Sequence, residues 1–160
     1  MVQIELETIT KEKKVYPRYL LKRTETIGEV TDVTSWSGTK TKTNKDQVKS
    51  EVKSEKIILT VLVQPDKVLQ CWMNADVKKG SDPAYDTTSY TNLKKLGLLE
   101  DFTNQVKTAI ESKITIDLTF VETYFRNKLS GKKITFVPET LVDKETKEEY
   151  STIKTIEGFA

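Results

Sequence analysis

Aromatic rings set among cationic side chains are the groups in this chain best placed to do chemistry. Trp36 lies between two serines ahead of a lysine-rich stretch, and Trp72 lies on a short apolar run between Gln70 and Asn74. Tyr16 and Tyr19 are interleaved with Arg18, Lys22 and Arg23, while Lys40, Lys42, Lys45, Lys49, Lys53 and Lys56 follow Trp36. A flat ring exposed to solvent is a stacking platform worth about 1–3 kcal/mol per nucleobase, and ammonium groups track phosphates. Each feature also has a plainer use. Trp72 can supply buried area, the tyrosine and arginine stripe can protect a sheet edge, and the lysines can simply solvate a loop.

Catalytic constellations are scarce. Without a single histidine the chain lacks the commonest general base and the commonest metal ligand. Pro65-Asp66 followed by Asp76-Val77-Lys78 has the letters of a magnesium-dependent nuclease motif, in which two carboxylates hold the ion and a lysine orients water. Ser50 and Lys53 have the spacing of a serine-lysine nucleophile, but in a polar loop. Cys71 has no partner for a disulfide and no imidazole to activate it, so it reads as a small core residue. Six glycines form no phosphate-binding loop, and no cofactor or metal is implied.

These residues must be carried by a chain of 160 residues, the length of one domain. Its 26 basic and 24 acidic residues leave a net charge of +2, so attraction to polyanions has to come from local clustering rather than from the total. The N-terminus lacks the pattern of a secretory signal, and no apolar run reaches the roughly 20 residues of a bilayer helix. An intracellular, reducing location with no membrane contact is the expectation.

Residues 1–22 read as a basic N-terminal arm or edge strand, with an extra strand where Val2, Ile4 and Leu6 alternate, and residues 23–160 as one domain. Residues 27–33 predict a strand with a bend near Gly28, and residues 35–55 a solvated loop or long hairpin arm. Residues 56–64 and 68–74 predict a hairpin turning at Pro65-Asp66. Pairing Gln64 with Lys67 sets Ile58, Thr60, Leu62, Leu69, Cys71 and Met73 on one face, and Trp72 with Leu59, Val61 and Val63 on the other. Helices are predicted near residues 90–96 and 99–112. A strand or extended segment follows from Ile114 to just before Thr119, then a helix capped by Thr119 and strands at 132–137 and 150–156 around a charged turn.

Mainly β with α, this is the element order of a five-stranded, partly open OB-like barrel with a helical insert between strands three and four. Three strings carry a family likeness: Ile27-Gly28-Glu29-Val30-Thr31-Asp32-Val33 followed by Trp36 and the lysine loop; Leu93-Lys94-Lys95-Leu96-Gly97; and Leu129-Ser130-Gly131-Lys132-Lys133-Ile134 with Glu149-Tyr150-Ser151-Thr152-Ile153. On these strings residues 27–157 resemble the small OB-fold single-stranded-DNA-binding proteins of phages and archaeal viruses. The chain departs from them in having only three arginines and no acidic tail at residues 155–160. The resemblance implies a non-catalytic binder of single-stranded DNA. Trp36, Trp72 and Tyr19 would stack on bases, and Arg18, Arg23, Lys40, Lys42, Lys45 and Lys56 would meet phosphates. Replication or recombination proteins and self-association are further expected partners. Two alternatives are a structural or adaptor protein of a virion or replication complex, using the same aromatic face, and the magnesium-dependent nuclease.

Overall fold

A computed structural model describes residues 19–43 and 45–160. The predicted strand among Val2, Ile4 and Leu6, along with Tyr16 and Arg18, lies outside the described residues. The chain is mixed α/β and mainly strands. β1 (Thr26–Thr43), β2 (Lys49–Val63) and β3 (Lys67–Asn74) form an antiparallel meander, and α1 (Thr88–Lys95), α2 (Leu99–Glu111) and α3 (Leu118–Leu129) follow it. β4 (Lys133–Phe136) and β7 (Ile156–Phe159) complete a five-stranded sheet of order β3-β2-β1-β4-β7, and β5 (Glu139–Val142) pairs with β6 (Glu149–Thr152) as a separate hairpin. All ladders in the sheet are antiparallel. Among the described residues no helix is long and apolar enough to cross a membrane.

β1 shows how local sequence and burial combine. Val30 and Val33, three apart, are both fully buried because the register shifts between Val30 and Asp32, leaving Thr31 as an extra residue. The irregularity is therefore at Thr31, not near Gly28 as predicted. Gly28 serves close packing: a Cβ there would lie 2.5 Å from Val61 Cγ1 and 3.1 Å from Phe136 Cε1. Residues 35–55, predicted as a loop or arm, are a two-stranded arm whose ladder runs unbroken to Thr43 opposite Lys49.

The β2–β3 register also differs from the predicted one. Val63 pairs with Lys67, so three residues rather than two make the connection and every opposed pair moves by one. The inner face becomes Ile57, Leu59, Val61 and Val63 with Leu69, Cys71 and Met73, all buried. Ile58, Thr60 and Leu62 move to the outer face with Trp72. Burial decides this register: the slip that satisfies both apolar sets of one parity gives one sealed side.

The helices match their predicted spans within two residues. Thr87 caps α1, and Gly97 at φ +73° makes the left-handed exit that α2 needs to start at Leu99. Before Thr119 no strand forms: residues 114–117 lead into α3 without regular secondary structure. Asp117, not Thr119, caps α3 by accepting the Phe120 N–H at 3.0 Å, which pulls residues 118–120 into the helix. The single strand predicted over 150–156 is likewise divided between β6 and β7, and β5 was not predicted. Between β6 and β7, Ile153 forms a parallel bridge with Cys71 at the edge of β3, its N–H donating to the Gln70 carbonyl at 3.2 Å.

Between sheet and helices lies a core containing Phe125, Phe136, Leu59, Met73, Leu93 and Ile134. Asn92, buried on α1, accepts the Ile156 N–H at 2.9 Å and so ties the helices to β7. α2 and α3 are joined by the Tyr124 hydroxyl, which donates to Asp101 Oδ2 at 2.8 Å, with Lys128 Nζ 3.2 Å from the same oxygen. Those bonds hold the Asp101 carboxyl below its usual range, and burial with the adjacent carboxylate pushes the Tyr124 phenol up.

Cys71 is sealed in this core, and burial pushes its thiol up to about 12. It is expected to stay unmodified by a thiol-specific chromogenic reagent at neutral pH in native protein and to react completely in denaturant. Rapid modification of the native state would contradict its packing.

Candidate nucleic-acid interface

Strand alternation carries three rows of side chains across the outer face of β1, β2 and β3. Trp36 pairs with Lys56 and Lys56 with Asn74; Thr34 pairs with Ile58 and Ile58 with Trp72; Asp32 pairs with Thr60 and Thr60 with Gln70. Trp36 and Trp72 thus stand one row apart on the two strands that flank β2. Strands two places apart are about 10 Å from each other, yet the indole centroids are only 6.3 Å apart, inclined at 56°. The two rings therefore approach each other across β2. Ile58, lying between them in register, is buried.

The two indoles remain 39% and 45% exposed. Two large apolar side chains left in contact with each other and with solvent form the kind of patch that marks an interaction site. Gly38 shapes this patch, because a Cβ at that position would fall 2.5 Å from the far edge of the Trp36 ring. A side chain at position 38 would push the Trp36 ring out of the place it occupies. On β3, Trp72 Nε1 donates to Gln70 Oε1 at 3.1 Å. Lys56 Nζ donates to Asn74 Oδ1, which places an ammonium group in the row next to Trp72.

Beyond Trp36 the same parity runs out along the arm through positions 38, 40 and 42 of β1 and 50, 52 and 54 of β2. No carboxylate occupies these positions, whereas Glu51 and Glu55 have the opposite parity, where Lys53 Nζ lies 3.8 Å from Glu55 Oε1. Along the arm the acidic side chains thus lie on the side opposite the tryptophans, while Asp32 and Glu29 share the tryptophan face nearer the base of β1.

Of the residues singled out in the sequence, Trp36, Trp72 and Lys56 come together. Lys40 and Lys42 occupy backbone positions along the arm in the parity of Trp36, and Lys45 is exposed at its tip, roughly 25–30 Å of strand from the indoles. Tyr19 is half-buried beyond the other edge of β3: its carbonyl accepts the Ser151 N–H at 2.7 Å. Arg23 stands at the far end of β1, about 30 Å of strand from Trp36, with Nε donating to Thr140 Oγ1. Gln70, Asn74, Ile58 and Gly38 were not singled out as site residues. Strand periodicity gave a signal for Gln70 and Asn74, which share the parity of Trp72, and for Gly38, which shares that of Trp36; Ile58 needed the cross-strand register.

The alternative chemistries do not assemble. Asp66 and Asp76 lie at opposite ends of the eight-residue β3, roughly 26 Å apart, so one ion cannot bridge them. Ser50 and Lys53 have opposite parity on β2, which turns the amine away from the hydroxyl. Among the described residues no cluster of three or more carboxylate or thiol groups is arranged to hold a metal ion.

No protein-family model matches the chain, nor does any curated protein or solved structure.

Proposed function

We propose that this protein binds single-stranded nucleic acid, DNA in the first instance, on the outer face of β1–β3 and without catalysing a reaction. The observation that carries this reading is the Trp36–Trp72 pair, exposed side by side across β2 with Lys56 in the adjoining row. Base stacking needs exposed π-faces, and a backbone passing over them needs cations without nearby carboxylates. The arm extends that cationic parity away from the rings toward Lys45.

The strand connectivity supports an OB-like, partly open barrel as the frame. β1 has both β2 and β4 as neighbours, β7 follows β4, and the parallel bridge from Ile153 to Cys71 brings the segment before β7 back to β3. We read this open sheet with its one closing bridge as the circuit of a five-stranded Greek-key barrel with helices between the third and fourth strands. The β5–β6 hairpin is an addition to it.

Both tryptophans lie in the site, so intrinsic fluorescence reports occupancy directly. Titration with oligothymidine is expected to quench it, with the logarithm of the affinity falling linearly in the logarithm of salt by about 0.7 per phosphate contacted. Replacing Lys40, Lys42 and Lys45 together by alanine is expected to flatten that slope by about two. Absence of quenching and of oligonucleotide retention at low salt would reject the reading. A salt-independent affinity would reject the lysine roles alone.

A further inference from the structure

The polar groups around Trp72 all present the same hydrogen-bonding sense. An indole N–H can only donate, so the Gln70 atom it meets at 3.1 Å is the carbonyl oxygen, and the Gln70 amide must turn its NH₂ outward. An ammonium can likewise only donate, so Asn74 gives its carbonyl oxygen to Lys56 and its NH₂ is left to point elsewhere. Neither NH₂ has a hydrogen-bond partner among the described residues. Gln70 and Asn74 stand two residues on either side of Trp72, each about 7 Å from it along the strand. The indole is thus flanked on both sides by donors. The nearest carboxylate of this parity on the neighbouring strands is Asp32, about 10 Å across the sheet from Gln70, with Oδ1 accepting the Val33 N–H.

We infer that this site distinguishes bases by the group at the pyrimidine 4-position and prefers a carbonyl there, as in thymine and uracil, over the amino group of cytosine. The inference rests on the single-strand-binding reading above. A base stacked on Trp72 brings an edge against the NH₂ of Gln70, whose carbonyl already meets the indole N–H; Asn74, about 14 Å from Gln70 along the strand, is beyond reach of that same edge. Uracil and thymine offer O4 to that NH₂ as an acceptor. Cytosine carries an amino donor in place of O4, and that donor, facing a donor, loses its hydration without compensation. Ring size, sugar and stacking area are nearly the same for uracil and cytosine, so stacking alone does not separate them.

The test compares oligodeoxyuridylate with oligodeoxycytidylate of equal length, at mildly alkaline pH where cytosine is neutral, by tryptophan quenching with the full-length protein. The wild type is expected to hold the uridylate at least about fivefold more tightly. Gln70→Leu is expected to bring the ratio toward one with quenching retained, and Gln70→Glu, which replaces a donor by an acceptor, to shift it toward the cytidylate. Equal affinity of the wild type for the two oligonucleotides would overturn this inference and leave the binding reading intact. So would a preference for uridylate that survives Gln70→Leu unchanged. Absence of quenching by both would overturn the binding reading, and this inference with it.

Discussion

Changing Trp36 and Trp72 together to alanine is expected to weaken oligothymidine binding by at least about thirtyfold, while the protein stays folded and cooperative. Each indole that stacks on a base contributes about 1–3 kcal/mol, so loss of both removes about 2–6 kcal/mol, a factor of roughly 30 to 10⁴ in affinity. The single variants are expected to be non-additive, because the rings touch at 6.3 Å between centroids and each positions the other. Trp36→Ala also frees the space over Gly38, and Trp72→Ala releases the Gln70 carbonyl. Because the double variant has no tryptophan and each single variant keeps one of the two, the measurement is anisotropy of a labelled oligonucleotide, with thermal melting as the control. Since both rings are partly in solvent, the melting temperature is expected to fall by only a few degrees. Unchanged affinity would remove the aromatic face from the mechanism.

Phe125→Ala should have the opposite profile. Phe125 is fully buried on α3, stacks edge-on against Tyr124, and sits in the cluster that also contains Val30 and Val33 of β1. Emptying that volume is expected to cost about 3–5 kcal/mol, a large share of the 5–15 kcal/mol by which domains of this size are stable. Urea denaturation followed by circular dichroism should show the midpoint falling steeply with the slope little changed. The fraction that remains folded should bind oligothymidine with near wild-type affinity, because α3 contributes nothing to the outer face. A loss below about 1 kcal/mol would mean that the helices are not packed on the sheet as described. Together the two variants separate the face that binds from the face that folds.

Much of the fold was legible because its signals are local. The spacing of Leu93, Leu96, Phe102, Val106 and Ala109 marks α1 and α2, with Gly97 between them, and the structure puts those helices where the pattern does. The hairpin around Pro65-Asp66 was legible for the same reason. Failures occurred where two signals compete within a few residues. Thr119 with Glu122 and Asp117 with Phe120 are both plausible helix starts, and the earlier cap prevails because Leu118 and Val121 then pack toward the core. β5 was missed because its four residues pair only with β6, in a hairpin separate from the main sheet, and leave Leu141 and Val142 exposed.

What the sequence determined by itself is what depends on one strand, one helix or composition. Alternation within β3 is sufficient to place Trp72 with Gln70 and Asn74 and opposite to Cys71, whatever that strand pairs with. The lack of histidine removes imidazole chemistry without reference to any fold. Tertiary structure alone decided what lies across from what. A three-residue rather than two-residue connection reassigns every β2 partner of β3, and one extra residue at Thr31 reverses the faces of β1 beyond it. Trp36 and Trp72 are 36 residues apart in the chain, and they meet only because these two offsets bring both to the outer side of the same sheet. The same geometry carries Asp66 and Asp76, ten residues apart, to opposite ends of a strand. Side-chain parity is fixed by the covalent backbone of a single strand, whereas register is fixed by turn length and by which face the core can seal, and neither is a property of any one segment.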